Sequence, residues 1–239
     1  MQNQEIRTFG RRHGKKLSAR KVWLMENILP VISPKNIKKA GKLILEIGFG
    51  NGEHVRDLAA QKPDSIIIGA EPFANGVAAL LSAICDEKTN EVLPQYKNIY
   101  IWPDDVRDYL RDTDSKFSQI WILHPDPWPK AKHEKRRLLS PEFLTMLSTH
   151  LAKSGQIIIG TDHWEYFDWI NDQAKKTSLY ASFPPLSTIH TRYAEKNMAY
   201  LFAADYLFCG LYSNDLGYSA MCGSYYGDRN LLHQFWSQP

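Results

Sequence analysis

The sequence predicts an α/β domain built on a doubly wound, mostly parallel sheet, and three observations predict it. Between residues 43 and 160, short β-rich runs alternate with helical patterns, the order that gives parallel strands joined by covering helices. Right-handed crossovers then wind such a sheet in both directions. The chain has 239 residues, enough to bury roughly 70–75% of the surface its unfolded form exposes without disulfide or zinc staples. Its 44% hydrophobic and 23% charged residues exclude a wholly disordered or collagenous chain.

Strands are expected at 42–47, 65–70, 98–102, 119–123 and 156–160, each a short β-branched or aromatic run closed by turn residues. Helices are expected at 53–61, 74–85, 104–111 and 141–152. The last has Ser140 to cap it and Pro141 at its first position. Upstream, Ser18 caps an amphipathic segment at 19–29 that stops at Pro30 and packs on the sheet. Downstream, a helix at 163–175 precedes Pro184-Pro185 and a strand-like run at 198–208. The expected organisation is therefore a basic arm and helix at 1–30, a main domain at 31–208 and an extension at 209–239. The extension places Gly210, Gly217, Gly223 and Gly227 among tyrosines; it is expected to dock on the core and is assigned no role.

The net charge of +3 hides a strong asymmetry. Residues 1–21 hold seven Lys/Arg against Glu5, and residues 130–137 (KAKHEKRR) hold five against Glu134, so the other 210 residues carry −7. Two basic blocks on an acidic body are the footprint of a polyanion partner, because each neutralised phosphate releases condensed counterions. No run of 18 apolar residues and no secretory leader is present, so the reading is cytoplasmic with no membrane partner. Cys85, Cys209 and Cys222 form no CxxC pair, and neither a disulfide nor a metal site is expected.

The strand at 42–47 runs into Gly48-Phe49-Gly50-Asn51-Gly52 and then a helix. Amides of that turn, Gly48 and Gly50 among them, sit at the carboxyl edge of the sheet, where open α/β sheets bind ligands. A dinucleotide fingerprint needs glycine at 53, and the chain has Glu53. A carboxylate before the turn, Glu46, repels a pyrophosphate but attracts the ammonium and sulfonium of S-adenosylmethionine. The second strand ends at Glu71, which can accept from both ribose hydroxyls. The third is followed by Asp104 and Asp105, where an acid can hold an adenine amino group. Three successive strands each ending in an acid fit an adenosine lying across the sheet edge.

The fourth strand enters His124-Pro125-Asp126-Pro127-Trp128-Pro129-Lys130, in which prolines fix the backbone on both sides of a carboxylate and an aromatic. Trp128 is expected to brace this loop rather than stack on a base, and His124 to pack at the strand end. The loop continues directly into the second basic block.

These stretches resemble the bacterial tRNA (guanine-N7-)-methyltransferase family. The match is carried by IRTFGRRHG at 6–14, the turn at 45–52, PDPWPK at 125–130 with His133 and Lys135-Arg136-Arg137, and Thr161-Asp162. A weaker fifth stretch is TRYAEK at 191–196, where the family usually has glutamate directly after the aromatic and this chain has Ala194, with Glu195 one place late. The resemblance covers roughly residues 6–208. It implies a class I S-adenosylmethionine-dependent methyltransferase (Rossmann-like) fold and methyl transfer to N7 of a variable-loop guanosine in tRNA. It further implies that Glu46, Glu71, Asp105 and Asp126 line the cofactor and catalytic cleft, with Asp126 catalytic. Lys130, Asp162, Thr191, Arg192, Tyr193 and Ala194 would meet the substrate. Arg7, Arg11, Arg12, Lys132, His133, Lys135, Arg136 and Arg137 would hold tRNA phosphates. The competing readings are another RNA base methyltransferase, such as an adenine amino-methylating enzyme with an Asp-Pro-Pro-aromatic loop, and a non-catalytic RNA-binding homologue. Monomer and homodimer stay equally open.

Overall fold

The computed structural model describes residues 10, 12–38, 41–161, 163–182 and 207–212. Its strands are β1 (Lys42–Ile47), β2 (Ser65–Ala70), β3 (Ile99–Trp102), β4 (Phe117–Leu123), β5 (Leu151–Thr161), β6 (Tyr180–Ser182) and β7 (Leu207–Tyr212). The helices are α1 (Ala19–Asn27), α2 (Glu53–Gln61), α3 (Ala74–Ile84), α4 (Val106–Arg111), α5 (Pro141–Thr149) and α6 (Trp164–Ala174). The strands form one sheet in the order β3-β2-β1-β4-β5-β7-β6. β7 runs antiparallel to both neighbours, and the pairs from β3 through β5 are all parallel.

Strand parity sorts the core into two layers. Leu45 and Ile47 of β1 face a cluster with Leu110 of α4, Phe143 of α5 and Tyr166 of α6. Ile44 faces the other way, into a cluster with Leu24 of α1, Val55 of α2 and Leu80 of α3. Parity also puts Glu46 on the Ile44 side, against α2. Because crossovers leave β1 in opposite directions, the crevice between the carboxyl ends of β1 and β4 is the topological switch point.

Three helices end or begin where a cap dictates. The fifth stops at Thr149, three residues short of the expected 152, because His150 takes φ −100° and ψ 5° and closes it, and the chain enters β5 at Leu151. The fourth starts at Val106 rather than 104, since the Asp105 carboxylate accepts from the Arg107 amide as an N-cap. Ser18 caps α1 as expected, but that helix packs on α3. Its Arg20 donates to Ser82 Oγ at 2.7 Å, Asn90 Oδ1 at 2.9 Å and the carbonyl of Asp86 at 3.1 Å. Burying Leu24 beside it stabilises the contact by roughly 1.5–3 kcal/mol.

Several features were not expected from the sequence. The basic run Ala131–Arg136 forms a 3-10 helix, and β6 pairs with β7. The sheet also continues past Phe208 to Tyr212, so residues assigned to the extension take part in β7. Positions 198–206 of the expected last strand, and 213–239, lie outside the described residues. No helix among the described residues is long and apolar enough to cross a membrane.

Candidate active site

The glycine turn after β1 holds Gly48, Gly50 and Gly52 at φ of 74°, 59° and 81°, a region that L side chains adopt only with strain. Two contacts shape it from outside. The Gly50 amide donates to Glu71 Oε2 at 2.8 Å, and an added Cβ on Gly76 of α3 would stand 2.3 Å from the Gly50 carbonyl oxygen. Glu71 accepts from the Phe73 amide with its other oxygen, at 2.9 Å. Burial pushes the Glu71 carboxyl above the usual range, and the charges of Asp126 and Glu46 push the same way. The Phe73 and Gly50 amides offset part of this. Each carboxylate oxygen still has a second lone pair to offer a ribose hydroxyl.

Glu46 and Asp105 are each held by a neighbour that the sequence reading did not single out. Glu46 is 2% exposed, with Oε2 2.9 Å from Nδ1 of His54 on α2, and the His54 ring meets the Trp121 ring edge-on at 4.8 Å. The signal for that pair was present, since parity turns Glu46 toward α2 and His54 sits in its first turn. Asp105 takes a forked ion pair from Arg107, through Nε to Oδ1 at 2.9 Å and through Nη2 to Oδ2. Both members are buried, and the Arg107 spacing to an N-cap aspartate is the legible sign.

The loop after β4 is strained at two places. His124 and Trp128 have φ of 50° and 43°, each costing about 1–3 kcal/mol in a non-glycine residue, and they bracket Asp126. The His124 amide continues the ladder to the Gly160 carbonyl at 2.8 Å. Asp126 itself is exposed. Trp128 meets the basic run on its own loop: the Arg136 guanidinium lies 5.0 Å from its ring centroid, and the His133 ring stands edge-on at 5.6 Å. Burial lowers the His133 pKa below the usual imidazole range, and the Arg136 and Lys130 charges lower it further.

A cleft of about 460 Å³ opens between the two segments, and its lining includes Gly48, Gly50, Glu71, Asp105, Asp126, Lys135, Arg136 and Arg137. That volume suits a nucleoside-sized ligand. Five of the expected cofactor residues thus meet in one place. Glu46 sits behind the cleft rather than in its lining. Lys130, Lys132 and Lys135 are exposed. Gly10 lines the cleft, the Arg12 carbonyl accepts from the Ala74 amide at 3.0 Å, and Arg12 Nη2 lies 3.3 Å from Asp104. An exposed pair of this kind is worth at most about 1 kcal/mol. Arg7, Arg11, Asp162, Thr191, Arg192, Tyr193 and Ala194 lie outside the described residues. Among the described residues no group of three His, Cys, Asp or Glu could hold a metal ion.

Residues 40–198 match the family described as putative methyltransferase. The tRNA (guanine-N(7)-)-methyltransferase of Wolbachia pipientis wMel is 38% identical over 143 residues, 59% of this chain and 62% of that protein. The one from Caulobacter vibrioides is 32% identical over 210 residues, 81% of this chain and 90% of that protein. The chain belongs to the tRNA (guanine-N(7)-)-methyltransferase family. A solved structure, the 16S rRNA methyltransferase KamB, is 13% identical with a TM-score of 0.54, covering 83% of this chain and 95% of that one. At that identity the likeness concerns the Rossmann-like class I fold alone. Of the stretches that resemble the tRNA (guanine-N(7)-)-methyltransferases, the glycine turn and the Pro125–Arg137 segment both contribute residues to the lining of the cleft.

Proposed function

We propose that the protein transfers a methyl group from S-adenosylmethionine to N7 of a guanosine in tRNA, the variable-loop guanosine being the target. The observation that carries the reading is the convergence of Glu71, Asp105 and Asp126 with the glycine turn in one cleft, beside exposed lysines. The residues present fit the cofactor. Glu71 keeps free lone pairs for the ribose, Asp105 is held rigid for the adenine amino group, and the buried Glu46 charge favours a cationic ligand in its neighbourhood. Bound there, S-adenosylmethionine supplies an electrophilic methyl group.

Guanine N7 carries a lone pair in the plane of the ring, so no side chain has to take a proton from the attacking atom. The work of the protein is then orientation and charge. Asp126, at the exposed tip of its loop, accepts from guanine N1–H and N2–H, orients the base and stabilises the positive charge that grows on it. Lys130, Asp162 and the loop at 191–194 complete the base contacts. Arg7, Arg11, Arg12, Lys132, His133 and Lys135 meet phosphates, with His133 acting as a neutral hydrogen-bond donor. Where N7 of the target is engaged within folded tRNA, local opening of that nucleotide accompanies binding.

The test is nucleoside mass spectrometry of tRNA incubated with the protein and methyl-labelled S-adenosylmethionine. Label in 7-methylguanosine at the variable loop is expected. Label in another base, or none with intact tRNA binding, would replace this reading with one of its two competitors.

A further inference from the structure

The second basic block is split by the fold. Lys130, Lys132 and Lys135 are exposed, whereas Arg137, which closes the block, is half-buried and engaged on several sides. Its Nε donates to the carbonyl of Pro127 at 2.9 Å. Its guanidinium lies 4.8 Å from the ring centroid of Trp169 and 5.5 Å from that of Tyr166, both on α6. Trp169 in turn donates from Nε1 to Glu134 at 2.6 Å, and the Arg137 amide donates to the Glu134 carbonyl at 2.9 Å. One side chain thus ties the loop after β4 to the helix after β5.

That loop has reason to need an external tie. Pro125, Pro127 and Pro129 have no N–H, so alternate residues cannot donate, and two left-handed non-glycine residues persist only where their surroundings over-determine them. The carbonyl that Arg137 holds belongs to the residue between Asp126 and Trp128. We infer that Arg137 is a positioning residue that fixes Asp126 in the cleft, and that it is not one of the tRNA phosphate contacts. The inference rests on the reading of Asp126 as the catalytic residue. A lysine at 137 would keep the charge but lose the planar fork and the stacking on Trp169.

The experiment compares wild type, Arg137→Lys, Arg137→Ala and Lys132→Ala in the full chain. For Arg137→Lys, a melting temperature near wild type and unaltered tRNA affinity are expected with a single-turnover methyl-transfer rate at saturating tRNA lowered about tenfold or more, since misplacement by an ångström can cost about a hundredfold. For Arg137→Ala, the dependence of tRNA affinity on salt should keep its wild-type slope, while Lys132→Ala loses roughly 0.7–0.9 of it. Trypsin cleavage after Lys130 should speed up several-fold in Arg137→Lys, a readout that needs no activity. A wild-type rate and wild-type cleavage in Arg137→Lys, or a slope lowered by Arg137→Ala as by Lys132→Ala, overturns the inference. Absence of 7-methylguanosine with wild type counts against the reading of the site instead, and the cleavage assay then decides whether Arg137 holds the loop.

Discussion

Replacing Gly76 by alanine separates the stability of the fold from the shape of the cofactor turn. The added Cβ would sit 2.3 Å from the Gly50 carbonyl oxygen, where real Cβ contacts essentially never come under 3.0 Å, so helix and turn must part by about 0.7 Å. Overpacking of this kind costs typically about 1–3 kcal/mol. Alanine returns roughly 1 kcal/mol of helix propensity inside α3, which leaves a net loss of about 0–2 kcal/mol in stability. The site loses more. Movement of Gly50 displaces the turn and the Glu71 carboxylate bonded to its amide at 2.8 Å, and each charge-assisted bond to the cofactor lost with them is worth about 1.5–3 kcal/mol, roughly ten- to a hundredfold in affinity. Calorimetric titration with S-adenosylmethionine, paired with thermal unfolding, should therefore show affinity falling further than stability. Gly48→Ala is the companion variant, because its Cβ would meet nothing within 4 Å but its φ is +74°, a conformational cost of about 1–2 kcal/mol without a clash. If Gly76→Ala bound the cofactor within twofold of wild type, the packing of α3 on the turn would not be what shapes the site.

Asp126→Asn should lower single-turnover methyl transfer far more than it weakens cofactor or tRNA binding, because an amide can present a donor to the guanine donors and carries no charge; a near-normal rate would remove Asp126 from the chemistry. Since the Glu71 carboxyl is raised above 4.5, it stays protonated further up the pH scale than a free glutamate. Cofactor binding should weaken as pH falls through that raised value and should release a proton there. Titrations in two buffers of different ionisation heat would reveal the proton, and Glu71→Gln should abolish it; identical heats for wild type would refute the linkage. His54→Ala leaves the Glu46 carboxylate, 2% exposed, without the imidazole and should cost about 1–3 kcal/mol of stability. An unchanged melting temperature would mean that Glu46 finds another partner.

Strand positions were legible where periodicity was strong. Strands 42–47 and 65–70 and helix 53–61 match β1, β2 and α2 end to end, because continuous Ile/Leu runs and a glycine N-cap leave few alternatives. The end of α5 differs from the expectation because Ala152 is a good helix former, and the cap that overrides it comes from His150. β6 was missed for a different reason: three residues carry no period, and pairing with a strand from the far end of the chain creates it. Within the site, residue types at strand ends identified Glu71, Asp105 and Asp126. What the sequence reading left out was who holds them. His54 and Trp169 act through contacts between elements, Arg107 forks onto the N-cap aspartate of its own helix, and a basic block read as one patch proved to have exposed lysines and a half-buried arginine.

The place of β7 has a consequence for the order in which the molecule is made. It fills the slot between β5 and β6 although it comes last of the three in the chain, with Leu207 opposite Thr161, and β6 pairs with the sheet through it. A nascent chain can therefore close β3, β2, β1, β4 and β5, the strands that carry the cleft, while the outer edge of β5 is still a row of unpaired backbone groups. At roughly 5–20 residues per second, synthesis leaves that edge open for about 2–9 s before β7 emerges. During those seconds the edge is the part of the newborn protein most able to pair with another chain. A ribosome that stalls between Ser182 and Leu207 would hold a nearly complete catalytic half bearing an open strand.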